Sequence, residues 1–287
     1  MSFGSVGTDT GGSVRIPASA CGLTGLKPGW NELPADGVIP LSRQLDHVGP
    51  LARSVVDAWL LFEAMRGSPR SAGEELEGPS VRGLKLGVLD HYFFERMDVD
   101  VENVVRGAGE RLRSAGAQLS EVIVPHARDI APVYLHMVLA DGAAYHATEL
   151  ARHGERYTAP VRLRLEMGRY VLGEDYARAL RGRDVLRHAV EKALVGVDAL
   201  LLPTLPIAAP VLGQASVVVR GGTESVRSAM LRCTQLFNLT GHPAITMPCG
   251  HTKSGLPVGL QLVGGLGRTN DLLCVARSVE SALDAAR

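Results

Sequence analysis

"LKLGVLDHYFFERMDVDVENVVRGAGERLRSAGAQLSEVIVP", residues 84–125, decides how the fold is read. LKLGVLD (84–90) is a short apolar run of strand length. After it, Val101, Val104, Val105, Ala108 and Leu112 recur at the spacing of one helical face. QLSEVIVP (118–125) is a second strand-like run, ended by proline. Strand, helix and strand in this order form a β-α-β unit, which implies a sheet covered by helices. Working outward, SVVDAWLLFEAM (54–65) reads as a buried helix with Ser54 as its N-cap. GSPRSAGEELEGPSVRG (67–83) reads as a polar connector, and residues 129–196 as mostly helical. ALLLPTLP (199–206), AITMP (244–248) and VGLQLVG (258–264) read as further strands, with a helix expected around 224–238. A last helix from near Thr269 turns Leu272, Ala276, Val279 and Leu283 inward. The predicted class is α/β, a mixed β-sheet flanked by helices on both faces.

Composition narrows the function. The chain has 287 residues, 46% of them hydrophobic, enough for a substantial core. Lys+Arg and Asp+Glu are equal at 30 each, so no net charge draws the protein to nucleic acid or to an anionic membrane. No apolar run reaches the length of a membrane span, and MSFGSV lacks the basic start and apolar run of a signal peptide. Cys21, Cys233, Cys249 and Cys274 are far apart, with no CxxC, and read as free thiols of a cytoplasmic protein. No HExxH or His/Cys cluster is present, so neither a metal nor another cofactor is expected.

The chemistry concentrates in GTDTGGSVR (7–15). Gly11 and Gly12 lead into Ser13, and a glycine pair lets the backbone approach a ligand and aim its N–H groups at one point. That is how an oxyanion hole is built beside a nucleophile. From spacing alone, Ser13 is either a turn serine or a nucleophile. It is not in a G-x-S-x-G elbow, because Arg15 occupies the last position, and no Gly-Lys-Ser/Thr follows to make a P-loop. VGGLGR (263–268) is only a weak echo of a dinucleotide motif and reads as a loop. Asp9 and Arg15 flank the turn, either as a plain ion pair or as a brace that holds its N–H groups in place. A histidine base finds no support. Asp46 and His47 are adjacent and point to opposite faces in extended backbone. His136, His146 and His153 fall in helical stretches, and His242 and His251 flank turns.

GTDTGGSVRIPASACGLTGLKP (7–28) resembles the core signature of the amidase signature family. The resemblance continues through GVIPLSRQLDHVGPLARSVVDA (37–58), DALLLPTLPIAAP (198–210) and NLTGHPAITMPCGHTKSGLPVGLQLVG (238–264), in order along essentially the whole chain. It implies one amidase signature domain over 1–287, with a signature core at 1–66 and the remaining sheet and helices at 67–287. It also implies hydrolysis of an amide C–N bond through an acyl-enzyme. Ser13 would be the nucleophile, and the N–H groups of Thr10, Gly11, Gly12 and Ser13 the oxyanion hole. Asp9 and Arg15 would be the scaffold of the site. Cys21 would be a small core filler, and Pro203 to Pro206 would line the substrate pocket.

The family's base is a relay of a second serine and a neutral buried lysine, both upstream of the nucleophile. A desolvated lysine loses its proton readily and serves as a base near neutral pH. Of the four lysines here, Lys27 belongs to the GLKP scaffold, Lys85 opens a strand, Lys192 lies on a polar helix and Lys253 in a turn. Ser2 and Ser5 are the only serines before Ser13. The Ser-Ser-Lys triad therefore reads as incomplete, Met1 as an internal methionine of a longer protein, and the isolated chain as impaired and prone to self-association. The expected partners are a small-molecule amide and either a second copy of the chain or a complementing N-terminal segment, with no nucleic acid and no membrane. The alternatives are a glutaminase-type subunit of a tRNA-dependent amidotransferase and an inactive remnant that only binds.

Overall fold

The sequence resolves into short strands separated by longer helices. In the computed structural model, residues 2–68 and 75–285 are described. In chain order they form β1 (Gly4–Asp9), α1 (Arg15–Ala20), β2 (Thr24–Lys27), β3 (His47–Ala52), α2 (Val55–Met65), β4 (Lys85–Leu89), α3 (Val99–Ser114) and β5 (Gln118–Val122). There follow α4 (Ile130–His153), α5 (Ala159–Gly168), α6 (Gly173–Ala193), β6 (Ala199–Pro203), β7 (Ser216–Val219), β8 (Gly222–Ser225), α7 (Val226–Leu231) and α8 (Gln235–Thr240). The chain closes with β9 (Ala244–His251), β10 (Pro257–Val263) and α9 (Thr269–Ala285).

Eight strands make one sheet in the order β1-β3-β2-β9-β10-β6-β4-β5. The β-α-β unit forms as its sequence predicts. β4 runs parallel to β5 with α3 between them, and β4 is also parallel to β6. The pairs on the β1 side of β6 are antiparallel, so the sheet is mixed. Helix α9 packs against both α2 and α3, and all three pack against the sheet. Helix α1 covers β2, β9 and β10 from the other face, with α4, α6 and α8 grouped beyond it. A side chain at Gly25 would strike Ala18 of α1 at 2.7 Å, so α1 lies nearly against the strand. The inward positions of α3 are buried at Val101, Val105, Ala108 and Leu112, and those of α9 at Leu272, Ala276, Val279 and Leu283. Ser54 caps α2 as expected, its Oγ accepting from Asp57 N at 3.1 Å.

Three expectations change. The helix expected around 224–238 is instead the end of a β7–β8 hairpin followed by α7 and α8. Ser225 starts α7 by accepting from Ser228 N at 3.1 Å, and the chain turns at Arg232–Thr234 before α8. Cys21 is exposed rather than core filler, because it stands just past the end of the short α1. Pro203 to Pro206 are buried and line none of the cavities described below. Thr204 Oγ1 bonds Thr246 Oγ1 at 2.5 Å beneath them. Part of the 67–83 connector, and Met1, lie outside the described residues.

Candidate active site

β1 delivers Asp9 to the end of the strand, where it is fully buried. The chain then turns through Thr10, Gly11 and Gly12. Ser13 stands exposed on the turn, and α1 begins at Arg15, also fully buried. Gly12 has φ +141°, which a residue with a Cβ rarely adopts. Thr234 Oγ1 donates to Gly11 O at 2.6 Å, and Gly12 O accepts from Ile16 N at 2.7 Å.

Beneath the turn lies a closed polar network. Arg15 uses all five guanidinium N–H groups. Nε and Nη2 donate to the Asp9 carboxylate at 3.0 and 2.9 Å, and Nη2 also to Asn238 Oδ1 at 2.6 Å. Nη1 donates to Gln261 Oε1 at 2.8 Å and to Thr234 O at 3.1 Å. Asp9 Oδ2 accepts in addition from Val14 N at 3.2 Å and Arg15 N at 3.4 Å. Asn238 Nδ2 returns to Asp9 O and Oδ1, both at 2.8 Å. Burial opposes the charge on Asp9, but the Arg15 guanidinium, aided by Asn238, holds its carboxyl well below the usual carboxylate range. On the flank, Thr10 Oγ1 donates to Asp46 Oδ1 at 2.6 Å, and Asp46 Oδ2 gathers Leu41 N and Ser42 N at 2.8 and 3.0 Å.

Of the turn residues only Ser13 is exposed, while Thr10, Gly11 and Gly12 are buried. Among the described residues, no acceptor takes the N–H of Thr10, Gly11, Gly12 or Ser13, and the Ser13 hydroxyl bonds no side chain. Lys27 is buried on β2 and donates to Pro28 O at 3.0 Å, not to Ser13. Burial, then the charge of Arg15, lowers its pKa well below that of a free lysine. Lys253 faces Asp100 at 3.4 Å. His47 and His242 are buried with Nε2 unpartnered. Burial, then the charge of Lys27, lowers both pKa values, that of His242 to about 3.

Two cavities lie next to residues that contact the turn. One of about 500 Å³ is lined by Thr8, Asp46, His47 and residues of the 29–43 loop. The other, of about 590 Å³, is walled by Tyr92, Tyr134, Arg164, Arg227, Arg232 and Gln235 among others. A side chain at Gly11 would run into Tyr134 Oη at 2.5 Å, so Tyr134 stands between the turn and the second cavity. Sequence reasoning missed Thr234, Asn238 and Gln261. The available signal was a polar residue inside each apolar segment, Asn238 in QLFNLT and Gln261 in VGLQLVG. Tyr134, Arg164 and Arg227 lie in helices whose sequence carries no motif.

A mixed sheet whose first strand ends in a Gly-Gly-Ser turn over a buried Asp-Arg pair defines the amidase signature class of α/β proteins. The family model described as Amidase matches residues 1–273, and the chain belongs to that family. It is 43% identical over 262 residues to an amidase of Pseudomonas putida, covering 87% of this chain and 56% of that protein. It is 32% identical to a glutamyl-tRNA(Gln) amidotransferase subunit of Koribacter versatilis (strain Ellin345), covering 98% of this chain and 65% of that one. A crystal structure of an amidase superposes with a TM-score of 0.90 at 37% identity, over 97% of this chain and 62% of the other. The chain thus spans about three fifths of the length of these relatives.

Proposed function

We propose that the protein is the nucleophile-bearing part of an amidase that cleaves linear amide C–N bonds. Ser13 Oγ attacks the amide carbon, and its proton passes to a base. The N–H groups of Thr10, Gly11, Gly12 and Ser13 hold the developing oxyanion. The C–N bond then breaks, the amine leaves carrying a proton, and water hydrolyses the acyl-serine ester. Asp9 and Arg15 act from below as positioning residues, since they touch the turn rather than the substrate. One observation carries this reading: four N–H groups without acceptors sit on a turn whose underside is fully bonded.

The proton acceptor is the relay serine and lysine that the family resemblance implies, supplied by a polypeptide segment outside residues 1–287. In favour of this, Lys27 Nζ is committed to Pro28 O and no other lysine bonds the Ser13 hydroxyl among the described residues. The same reading makes the complementing segment the principal partner. No helix among the described residues is long and apolar enough to cross a membrane, and the four free cysteines suit the cytoplasm. The test joins the upstream segment of the P. putida amidase to this chain, in cis or as a second chain, and measures amide hydrolysis with and without Ser13→Ala. Turnover that needs both the segment and Ser13 is expected. Ordinary turnover by residues 1–287 alone, abolished by Ser13→Ala, would place the base within this chain.

A second reading draws on the K. versatilis relative, which belongs to a glutamyl-tRNA(Gln) amidotransferase. In that case glutamine hydrolysis would depend on tRNA and partner subunits, and the same fusion assayed with glutamine decides it.

A further inference from the structure

The network beneath the turn reaches Gly11, Val14 and Arg15 but not Thr10. The β1–β3 ladder ends at the pair Asp9–His47, one residue short of it. Beyond the ladder, the one hydrogen bond of Thr10 among the described residues runs from its hydroxyl to Asp46 Oδ1, at 2.6 Å. Thr10 is therefore only as well placed as Asp46. Asp46 in turn closes a small loop. Its Oδ2 accepts from Leu41 N and Ser42 N, and Ser42 O accepts from Asp46 N at 2.8 Å and from Leu45 N at 2.9 Å. A loop bonded to itself in this way moves as one body, so its orientation depends on what grips it from outside. Two grips converge on Asp141 of α4. Ser42, 1% exposed, donates from Oγ to Asp141 Oδ2 at 2.5 Å. Gln44 Nε2 donates to Tyr176 Oη of α6 at 2.6 Å, and Tyr176 donates to Asp141 Oδ1 at 2.7 Å. Arg183, further along α6, donates to Gln44 Oε1 at 2.6 Å. Helix α4 also lies close to the loop, since a side chain at Gly142 would meet Leu41 Cδ1 at 3.2 Å.

Among the described residues no cation pairs with Asp141 or Asp46. Both carboxylates spend their charge on hydroxyls and backbone N–H groups, in bonds stronger than those between neutral groups. For stability alone an apolar contact of the same shape would serve about as well. What the carboxylates add is direction. We propose that Asp141 is a positioning residue for amide cleavage: by gripping the 41–46 loop through Ser42 and Tyr176, it sets where Asp46 holds Thr10, and so where the turn that carries Ser13 begins. Asp141 acts through Ser42, Asp46 and Thr10, and its bonds go to hydroxyls of the protein itself. The turn is thus braced twice, from beneath by Asp9 and Arg15 and from the side by a carboxylate on a long helix.

This inference rests on the amidase reading for its effect on turnover, while the brace itself is read without turnover. In an NMR spectrum of the chain labelled with 15N-glycine, Asp141→Ala should move the amide signals of Gly11 and Gly12 and leave those of Gly107 and Gly109 on α3 in place. Asp141→Asn can still accept one hydroxyl on its oxygen and donate its amide to the other, so it should restore the signals. Glu191→Gln, at an exposed position of α6, is the control and should move neither. In the segment-restored enzyme, Asp141→Ala should lower kcat about tenfold with KM changed less than about twofold, because a misplacement of about 1 Å costs up to about 10² in rate. Asp141→Asn should recover most of the loss, and Tyr176→Phe, which leaves the Ser42 grip in place, should fall between. Should Asp141→Ala not fold, Ser42→Ala replaces it in both assays. Unmoved Gly11 and Gly12 signals overturn the proposal. So does a loss of kcat that Asp141→Asn shares in full, or one that only follows the unfolded fraction. If the signals move as expected and no form of the restored enzyme turns over, the amidase reading fails while the brace stands.

Discussion

Replacing Asp9 by Asn tests the foundation of the site. The two side chains are nearly the same size, so the change removes a charge and two acceptor positions with little change in volume. Arg15, fully buried, would keep its charge and face only the neutral oxygens of Asn238, Gln261 and Thr234. Breaking one side of a buried pair costs about 3–5 kcal/mol. Domains of this kind hold about 5–15 kcal/mol in total, so the loss is a large fraction of the stability. At roughly 2–4 °C per kcal/mol, the melting temperature should fall by about 6–20 °C. Urea unfolding at neutral pH, followed by fluorescence and far-UV circular dichroism, measures it. A double-mutant cycle with Arg15→Met should show that the two losses do not add, because the second removes the stranded charge. The pH dependence gives an independent check. The Asp9 carboxyl is held low in the folded protein, so its stabilising share is complete above the unfolded value of about 3.9 and disappears as pH falls through the folded value. Asp9→Asn should lack that acid-range loss. A penalty below about 1 kcal/mol, or losses that add in the double variant, would refute the claim that the pair acts as one unit.

Gly12→Val, at φ +141°, should distort the turn and lower turnover of the segment-restored enzyme by about 10² or more, while Ser5→Val on exposed β1 should not. His242 refuses a proton in the folded state, so between about pH 6.5 and about pH 3 this ring should contribute a loss of ~1.4 kcal/mol of stability per pH unit on acidification, beside the like contribution of His47. His242→Asn should flatten that slope in urea titrations, and an unchanged slope would mean the ring is not the source. The outer edge of β1 is unpaired within the described sheet, with Phe3 85% and Val6 60% exposed, so light scattering should show self-association of the chain that Val6→Lys reduces.

The sequence made some of this legible and hid the rest for physical reasons. The β-α-β unit could be read because Val101, Val105, Ala108 and Leu112 repeat a helical period between two short apolar runs. The Ser54 cap was legible because N-capping is local chemistry. The turn at 9–15 announced itself through Gly-Gly-Ser, but its support did not. Arg15 meets Asn238 and Gln261 across more than two hundred residues of chain, and no local pattern encodes that meeting. The β7–β8 hairpin did carry a local signal, Gly221-Gly222 after three valines, which the helix expected from 224 onward masked, and the helix run beyond Ser225 breaks at Thr234, whose hydroxyl bonds Gly11 O and Leu231 O. Cys21 was placed inside on the family resemblance, whereas a helix of six residues leaves its end at the surface.

The buried network and the turn explain each other. A turn that leaves four N–H groups unpaired and places Gly12 at φ +141° is unfavourable by itself, and nothing in its own residues would hold it. It persists because the polar groups beneath it are committed to one another and to the turn. Asp9 takes the N–H groups of Val14 and Arg15, Thr234 takes the carbonyl of Gly11, and Arg15 ties Asp9 to α8 and β10. An apolar core of equal volume would pack as well, but it would offer the backbone no partners and would let the turn relax onto its own acceptors. A charged pair with five satisfied guanidinium donors fixes direction as well as distance. The desolvation of two ions beneath Ser13 is therefore the means by which the turn keeps its conformation.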